Sequence, residues 1–208
     1  PAMDLIFERM PATLELVAVA ACLVLCIAIP LGVYAGAYPK RASSKLIMSG
    51  SILGISLPSF WVGMMMIYIF AVVLRLLPAS GRGNTVMVGN VALSIFAPGG
   101  IRYVILPAIT LALTNVATML RLTRSGILEN MRQDYIKFAR AKGVPAKSIL
   151  FGHALKNALI PVVTIFGMDL GNMIAFTTIT ETIFAWPGMG KLLIDAINNQ
   201  TDLLSWLI

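Results

Sequence analysis

Four apolar runs, at residues 12–37, 46–74, 103–120 and 158–180, restrict the fold more than any other feature of this sequence. A bilayer core of about 30 Å needs about 20 helical residues to cross it, and only the 103–120 run is marginal by that measure. Each run contains a helix-interrupting residue: Pro30, Pro58, Pro107, and Pro161 with Gly167 and Gly171. Membrane helices tolerate these where neighbouring groups satisfy the freed backbone. Composition agrees with the runs. The 208 residues are 58% hydrophobic and 12% charged, whereas a soluble domain carries about 25% charged residues. An ordinary soluble enzyme and a disordered chain are both excluded, and four spans of an all-α, polytopic transmembrane helical bundle are predicted.

Charge sets the orientation. The net charge is +7, and residues 121–156 hold eight basic residues against two acids, hence +6 of it. Lys40, Arg41 and Lys45 lie between the first two runs, so one side collects 11 of the 16 basic residues. By the positive-inside rule that side is the cytoplasm, and the loops at 75–102 and 181–202 face outward. A cleaved signal peptide is disfavoured for the first run, because it exceeds the usual apolar length and further spans follow. The chain opens on Pro1 and stops in an apolar stretch at 203–208. A preceding span and a following one are therefore expected, with 1–208 as a single transmembrane domain.

Residues 121–156 are too polar for a span and too patterned for a loose connector. Tyr135, Phe138, Ala139 and Lys142 recur at helical spacing. Arg132, Lys137 and Arg140 form a charged surround, and Gly143 with Val144-Pro145 ends the helix. A second short helix is predicted at 146–155. Such a segment suits docking to a soluble partner, and equally a basic loop that holds topology against anionic lipid.

The segment FARAKGVPAKSILFGHALKNALIPVVTIFG (138–167) resembles the cytoplasmic loop of binding-protein-dependent ABC importer permeases, and more narrowly the dipeptide/oligopeptide/nickel family. The likeness extends in order through ERMPATLEL (8–16), IPLGVYAG (29–36), SLPSFWVGM (56–64), LPASGRG (77–83), ILPAITLAL (105–113) and ETIFAWPGMGKLL (181–193). It resembles the first of two paired permease subunits. The resemblance implies a coupling helix within 121–156 that inserts into a groove of a cytoplasmic ATPase subunit. Ala139 and Gly143 match the loop motif's second alanine and its glycine. Lys137 stands where the general motif has Glu, and Lys156 where it has Pro, as is common in the peptide branch. Tyr135, Lys137, Phe138, Ala139, Arg140 and Gly143 are thus the expected coupling residues, with Phe138 as an aromatic anchor. The implied partners are a second homologous permease, two ATPase subunits, an extracytoplasmic solute-binding protein and the lipid of a bacterial inner membrane. ATP and Mg would be used by the ATPases, with no cofactor on this chain and no nucleic acid.

Asp169 lies inside the fourth run, with Asn172 one helical turn on. An acid at membrane depth costs roughly 2.5–3.5 kcal/mol on insertion scales and points by default to a solute pathway. A hydrogen-bonded structural acid satisfies the same pattern. Glu181 and Trp186-Pro187-Gly188 fall at the outer end of that run, where Trp ordinarily anchors to the interface. The resemblance offers an outer-gate role for the same stretch.

Signals for chemistry fail. Gly188-Met189-Gly190-Lys191 evokes a phosphate loop, but Ala185 stands where the first glycine belongs and Leu192 where Ser or Thr belongs. Cys22 and Cys26 share a helix face within an apolar run, and His153 is the one histidine, so no metal set is expected. Asn199-Gln200-Thr201 is a bare glycosylation sequon. A membrane-embedded hydrolase lacks a nucleophile and base. A passive channel or scaffold has no use for a docking loop.

Overall fold

The computed structural model describes residues 2–89 and 91–205. Its helices are α1 (Ala2–Ala37), α2 (Ala42–Ser56), α3 (Ser59–Met66), α4 (Ile101–Asn130), α5 (Asp134–Ala141), α6 (Ala146–Ser148), α7 (Leu155–Ile183) and α8 (Met189–Ser205). α3 continues as a π-helical turn over Ile67–Val73, and a second π-helical stretch, Ile149–Ala154, joins α6 to α7. Among the described residues, three helical stretches are long and apolar enough to cross a membrane: Met3–Ala37, Ile101–Asn130 and Ala146–Ile183. A fourth crossing exists only if α2 and α3 are counted as one span.

The second apolar run is therefore not the single helix its hydropathy predicts. Leu57 (φ −87°, ψ 130°) and Pro58 (φ −61°, ψ 134°) are both extended, and Pro58 caps the start of α3. Proline disfavours helical geometry in the residue before it, so the helix stops at Ser56. Pro107 and Pro161, by contrast, stay inside α4 and α7. The third run is longer than predicted. α4 continues to Asn130, ten residues into the polar segment that begins at 121. Thr123 and Ile127 fall one turn apart and are buried, while Arg121, Ser125 and Glu129 are exposed, so the polarity belongs to one face of a helix.

One departure from an all-α chain lies in the 75–100 loop. β1 (Val86–Val88) and β2 (Val91–Leu93) pair antiparallel, Val86 opposite Leu93 and Val88 opposite Val91. Valines flanking a Gly-Asn step are a hairpin signal that the apolar runs overshadowed.

The chain divides into two compact units. The first comprises Pro1–Ala21, Pro58–Leu111 and Gly171–Ile208. Its buried residues include Leu16 and Ala20 of α1, Val104, Leu106 and Ala108 of α4, Met173 of α7, and Phe184 and Trp186 beyond it. The second comprises Cys22–Leu57 and Ala112–Leu170. Within it α1 meets α4 through glycine: a Cβ at Gly32 would lie 2.6 Å from Thr123 Cβ, and one at Gly36 would lie 2.7 Å from Ile127 Cβ. Small residues four apart let two membrane helices approach closely. Its core gathers Val33, Ile127, Ile136, Ile149, Ala154 and Ala158. The further span expected to begin at 203–208 falls largely outside the described residues.

Candidate functional site

Within the second unit, α5 projects an aromatic side chain from a packed base. Ile136 is fully buried, and Ala139, one turn on, packs partly against the same cluster. Phe138 lies on the other side, 65% exposed, with the Lys142 ammonium 5.0 Å from its ring centroid. Lys137 and Arg140 are exposed. Lys137 bonds Asp134 at 2.8 Å and holds its carboxyl below the usual carboxylate range. Tyr135 donates its hydroxyl to Asn130 Oδ1 at 2.7 Å and accepts from Asn157 Nδ2 at 2.9 Å. That phenol ties α5 to the end of α4 and the start of α7.

The termination of α5 follows from Gly143. The Gly143 N–H donates to the Arg140 carbonyl at 3.0 Å and the Val144 N–H to the Ala139 carbonyl at 3.1 Å. That pair of bonds is a Schellman cap, which needs a left-handed residue where Gly143 sits at φ +77°. Val144 and Ala139 then pack against the same cluster. Ala139 is accordingly an inward residue and does not share an outer face with Phe138, contrary to the helical-spacing expectation. The predicted second short helix is also revised: 146–155 is no separate element but the first turns of the continuous Ala146–Ile183 helix.

Asp169 is half-buried and Asn172 exposed on α7. The Asp169 side chain has neither a hydrogen bond nor an ion pair among the described residues. Its helix has an exposed apolar flank that includes Ile160, Val163, Met168 and Phe176.

In the first unit the predicted outer residues form one polar cluster. The Glu181 carboxylate is fully buried and accepts the Thr13 hydroxyl at 2.6 Å and the Lys191 backbone N–H at 2.9 Å. Thr13 Oγ1 in turn accepts the Met189 N–H at 2.9 Å. Residues of α1 and α7 thus cap the N-terminus of α8, whose first turn has no acid of its own. Gly188 leaves room for them, because a Cβ there would overlap the Glu181 carboxylate and displace it from these bonds. Pro187 is half-buried. Trp186 is fully buried, donating its indole N–H to the Ala12 carbonyl at 2.9 Å. It is a core residue, and the interfacial-anchor expectation does not hold.

A buried ion pair of the unit is one that the sequence patterns do not single out. Glu15 of α1 is 5% exposed. Its Oε1 accepts from Ser94 N at 2.6 Å, Ser94 Oγ at 2.9 Å and Ile95 N at 2.7 Å. Its Oε2 accepts from Arg82 Nε at 3.0 Å. Arg82 also donates to the Ala92 carbonyl at 2.6 Å, and its guanidinium lies 5.7 Å from the Trp186 ring centroid. One carboxylate thus ties the 75–100 loop to α1. The available signal was an acid inside an apolar run, balanced by a lone arginine in LPASGRG.

Long apolar helices, capped and tied by buried polar residues, define a multi-pass helical membrane protein. Over residues 28–204 the sequence matches the family described as binding-protein-dependent transport system inner membrane component, and the chain belongs to that family. It is 40% identical over 196 residues to the oligopeptide transport system permease protein AppB of Bacillus subtilis (strain 168), covering 94% of this chain and 60% of that protein. It is likewise 40% identical over 202 residues to the di/tripeptide transport system permease protein DppB of Pseudomonas aeruginosa (strain UCBPP-PA14), covering 91% and 60%. To the dipeptide transport system permease protein DppB of Escherichia coli (strain K12) it is 35% identical over 215 residues, covering 96% and 63%. The chain therefore spans less than two thirds of the length of each of these relatives.

Proposed function

We propose that the chain is the transmembrane subunit of an ATP-driven importer in the bacterial cytoplasmic membrane, forming part of a pathway for peptides or similar small solutes. The observation that carries this reading is Phe138, exposed on a short helix whose opposite face, at Ile136, is locked into a core. A rigidly based aromatic knob is suited to transmit motion from a soluble partner, whereas a topology-holding loop has no need of a buried underside. Family membership supports an importer, and the names of the relatives support a peptide class of cargo.

In this reading α5 is the coupling helix, with Phe138, Lys137 and Arg140 contacting an ATPase subunit. Tyr135 and Gly143 hold the helix in place. Two ATPase subunits would use ATP and Mg, an extracytoplasmic binding protein would deliver cargo, and a second permease subunit would cover the apolar flank of α7. Transport proceeds by alternating access, because ATP moves the equilibrium only by favouring one conformation of the assembly over another. Asp169, half-buried and without a side-chain partner among the described residues, offers the ammonium group of a peptide a carboxylate at membrane depth. The capped Glu181 cluster serves as an outer gate.

The test is uptake of labelled di- and oligopeptides into vesicles reconstituted with the full-length protein, its second permease, ATPase subunits and binding protein. Uptake that needs all components and ATP is expected. Flux through the permease alone, unchanged by ATP, would establish the passive-channel reading instead.

A further inference from the structure

Two arginines of the first unit have no use in the function proposed above. Arg75 and Arg102 line one pocket of about 490 Å³, together with Leu77, Asn84, Pro98 and Tyr103. The 75–102 segment contains three basic residues and no acid. Arg82, the third, is committed to Glu15. Among the described residues, neither Arg75 nor Arg102 has a hydrogen-bond or ion-pair partner on its side chain.

The pocket is open to solvent and both arginines are exposed, but two backbone features fix its wall. Arg75 sits at φ +53°, a left-handed conformation that a bulky side chain adopts only under constraint. Gly83 occupies φ +70°, and a Cβ there would lie 2.7 Å from the Tyr103 ring, so glycine lets that ring close the wall. Arg102 is the second residue of α4, where the helix dipole repels a cation and attracts an anion. An unpaired guanidinium at that position, facing the same cavity as a second one, has an anionic ligand as its natural complement.

Position selects the anion. Arg75 follows the π-helical turn ending at Val73 by two residues, and Arg102 opens the next membrane-length helix. With the apolar helices read as spans, both stand near span ends, where lipid phosphates lie. Val73, Leu74, Leu76 and Ile101 around them are exposed and apolar. A ligand that satisfies both kinds of surface carries a phosphate and acyl chains. We infer that the Arg75–Arg102 pocket binds the headgroup phosphate of an anionic phospholipid from the leaflet beside residues 75–102. The guanidinium fork suits a phosphate bidentately, which an ammonium would not.

Full-length protein in neutral detergent is titrated with short-chain phosphatidylglycerol, phosphatidylcholine or inorganic phosphate. Binding is read as lipid adducts by native mass spectrometry. Phosphatidylglycerol is expected to bind in preference to phosphatidylcholine, with inorganic phosphate unable to displace it at equal concentration. Replacing both residues (Arg75→Gln with Arg102→Gln) should weaken phosphatidylglycerol binding about 30-fold, as removal of two surface arginines implies. Lys45→Gln should leave it unchanged. A second variant separates binding from folding. Arg75→Gly relieves the left-handed strain, so it should unfold at the same temperature or higher while still losing about fivefold in affinity. Equal binding of the two lipids, or undiminished phosphatidylglycerol binding in the Arg variants, would overturn the assignment. Displacement by inorganic phosphate at equal concentration would also overturn it, assigning the pocket to a free anion.

Discussion

The Thr13 hydroxyl and the Glu181 carboxylate, 168 residues apart in sequence, meet at 2.6 Å inside the first unit. Neither is exposed by more than 2%. Through this contact the first half of one long helix and the end of another share the capping of α8. Removing the hydroxyl in Thr13→Val leaves the Met189 N–H without its acceptor and Glu181 short of a donor. The expected cost is about 1–3 kcal/mol, the range for an unsatisfied buried polar group. Thermal unfolding in detergent checks it, and Thr13→Ser should restore most of the loss.

Arg82→Ala leaves the Glu15 carboxylate buried with its backbone and serine donors but no cation. Breaking a buried ion pair from one side costs about 3–5 kcal/mol. Combining Arg82→Ala with Glu15→Gln should cost less than the sum of the two single changes. Strict additivity in that double-mutant cycle would show that the two groups do not interact.

On α5, neighbouring apolar residues should behave oppositely. Ile136→Ala should lower stability by about 2–5 kcal/mol, as expected for a truncated core side chain. Phe138→Ala, at an exposed position, should leave stability within about 0.5 kcal/mol. It should nevertheless reduce co-purification of the ATPase subunits and ATP-dependent uptake. Normal uptake in Phe138→Ala would remove this residue from the coupling surface. Ala139→Glu, by contrast, would put a charge against the unit's own core and so cannot separate docking from folding.

Gly143→Ala meets no steric obstacle, since nothing lies within 4 Å of a Cβ built there. Its whole expected effect is the left-handed backbone, about 1–2 kcal/mol. Gly143→Asn should be milder, because asparagine tolerates that conformation. Unfolding temperatures of the two variants give the comparison.

Asp169→Asn removes a charge that has no partner among the described residues, so stability should not fall. If the acid faces the pathway, uptake of peptides with a free amino terminus should drop relative to N-acetylated ones. An unchanged ratio would reassign Asp169 to structure.

Much of the fold was legible because membrane burial imposes length. A long, predominantly apolar run is helical where it crosses lipid, and α1, α4 and α7 follow from hydropathy alone. The gaps arose where a local rule met its exception. Pro58 breaks its helix while Pro107 does not, although both lie in apolar runs. Polar residues at 121–130 suggested a loop, yet they occupy the outer face of a helix whose inner face carries Thr123 and Ile127.

The candidate site divides in the same way. Gly143 as a helix stop and Phe138 as a projecting aromatic were readable from residue type and spacing. Ala139 was not, since helical spacing groups residues without saying which group the core takes, and here Ile136 set the inward face. Glu181 was singled out by its place at the end of a run. Its partners, Thr13 and the α8 backbone, come from segments far away in the chain.

The sequence by itself determined that this is a multi-span helical membrane protein with a patterned basic segment. Hydropathy, charge and turn residues act over a few neighbours and are written locally. Only the tertiary structure decided that Glu15 pairs with Arg82, that Trp186 is core and not anchor, and that Arg75 and Arg102 face one cavity. Those outcomes depend on which helices pack together. A buried carboxylate must find its donors wherever packing brings them, at separations no local pattern records.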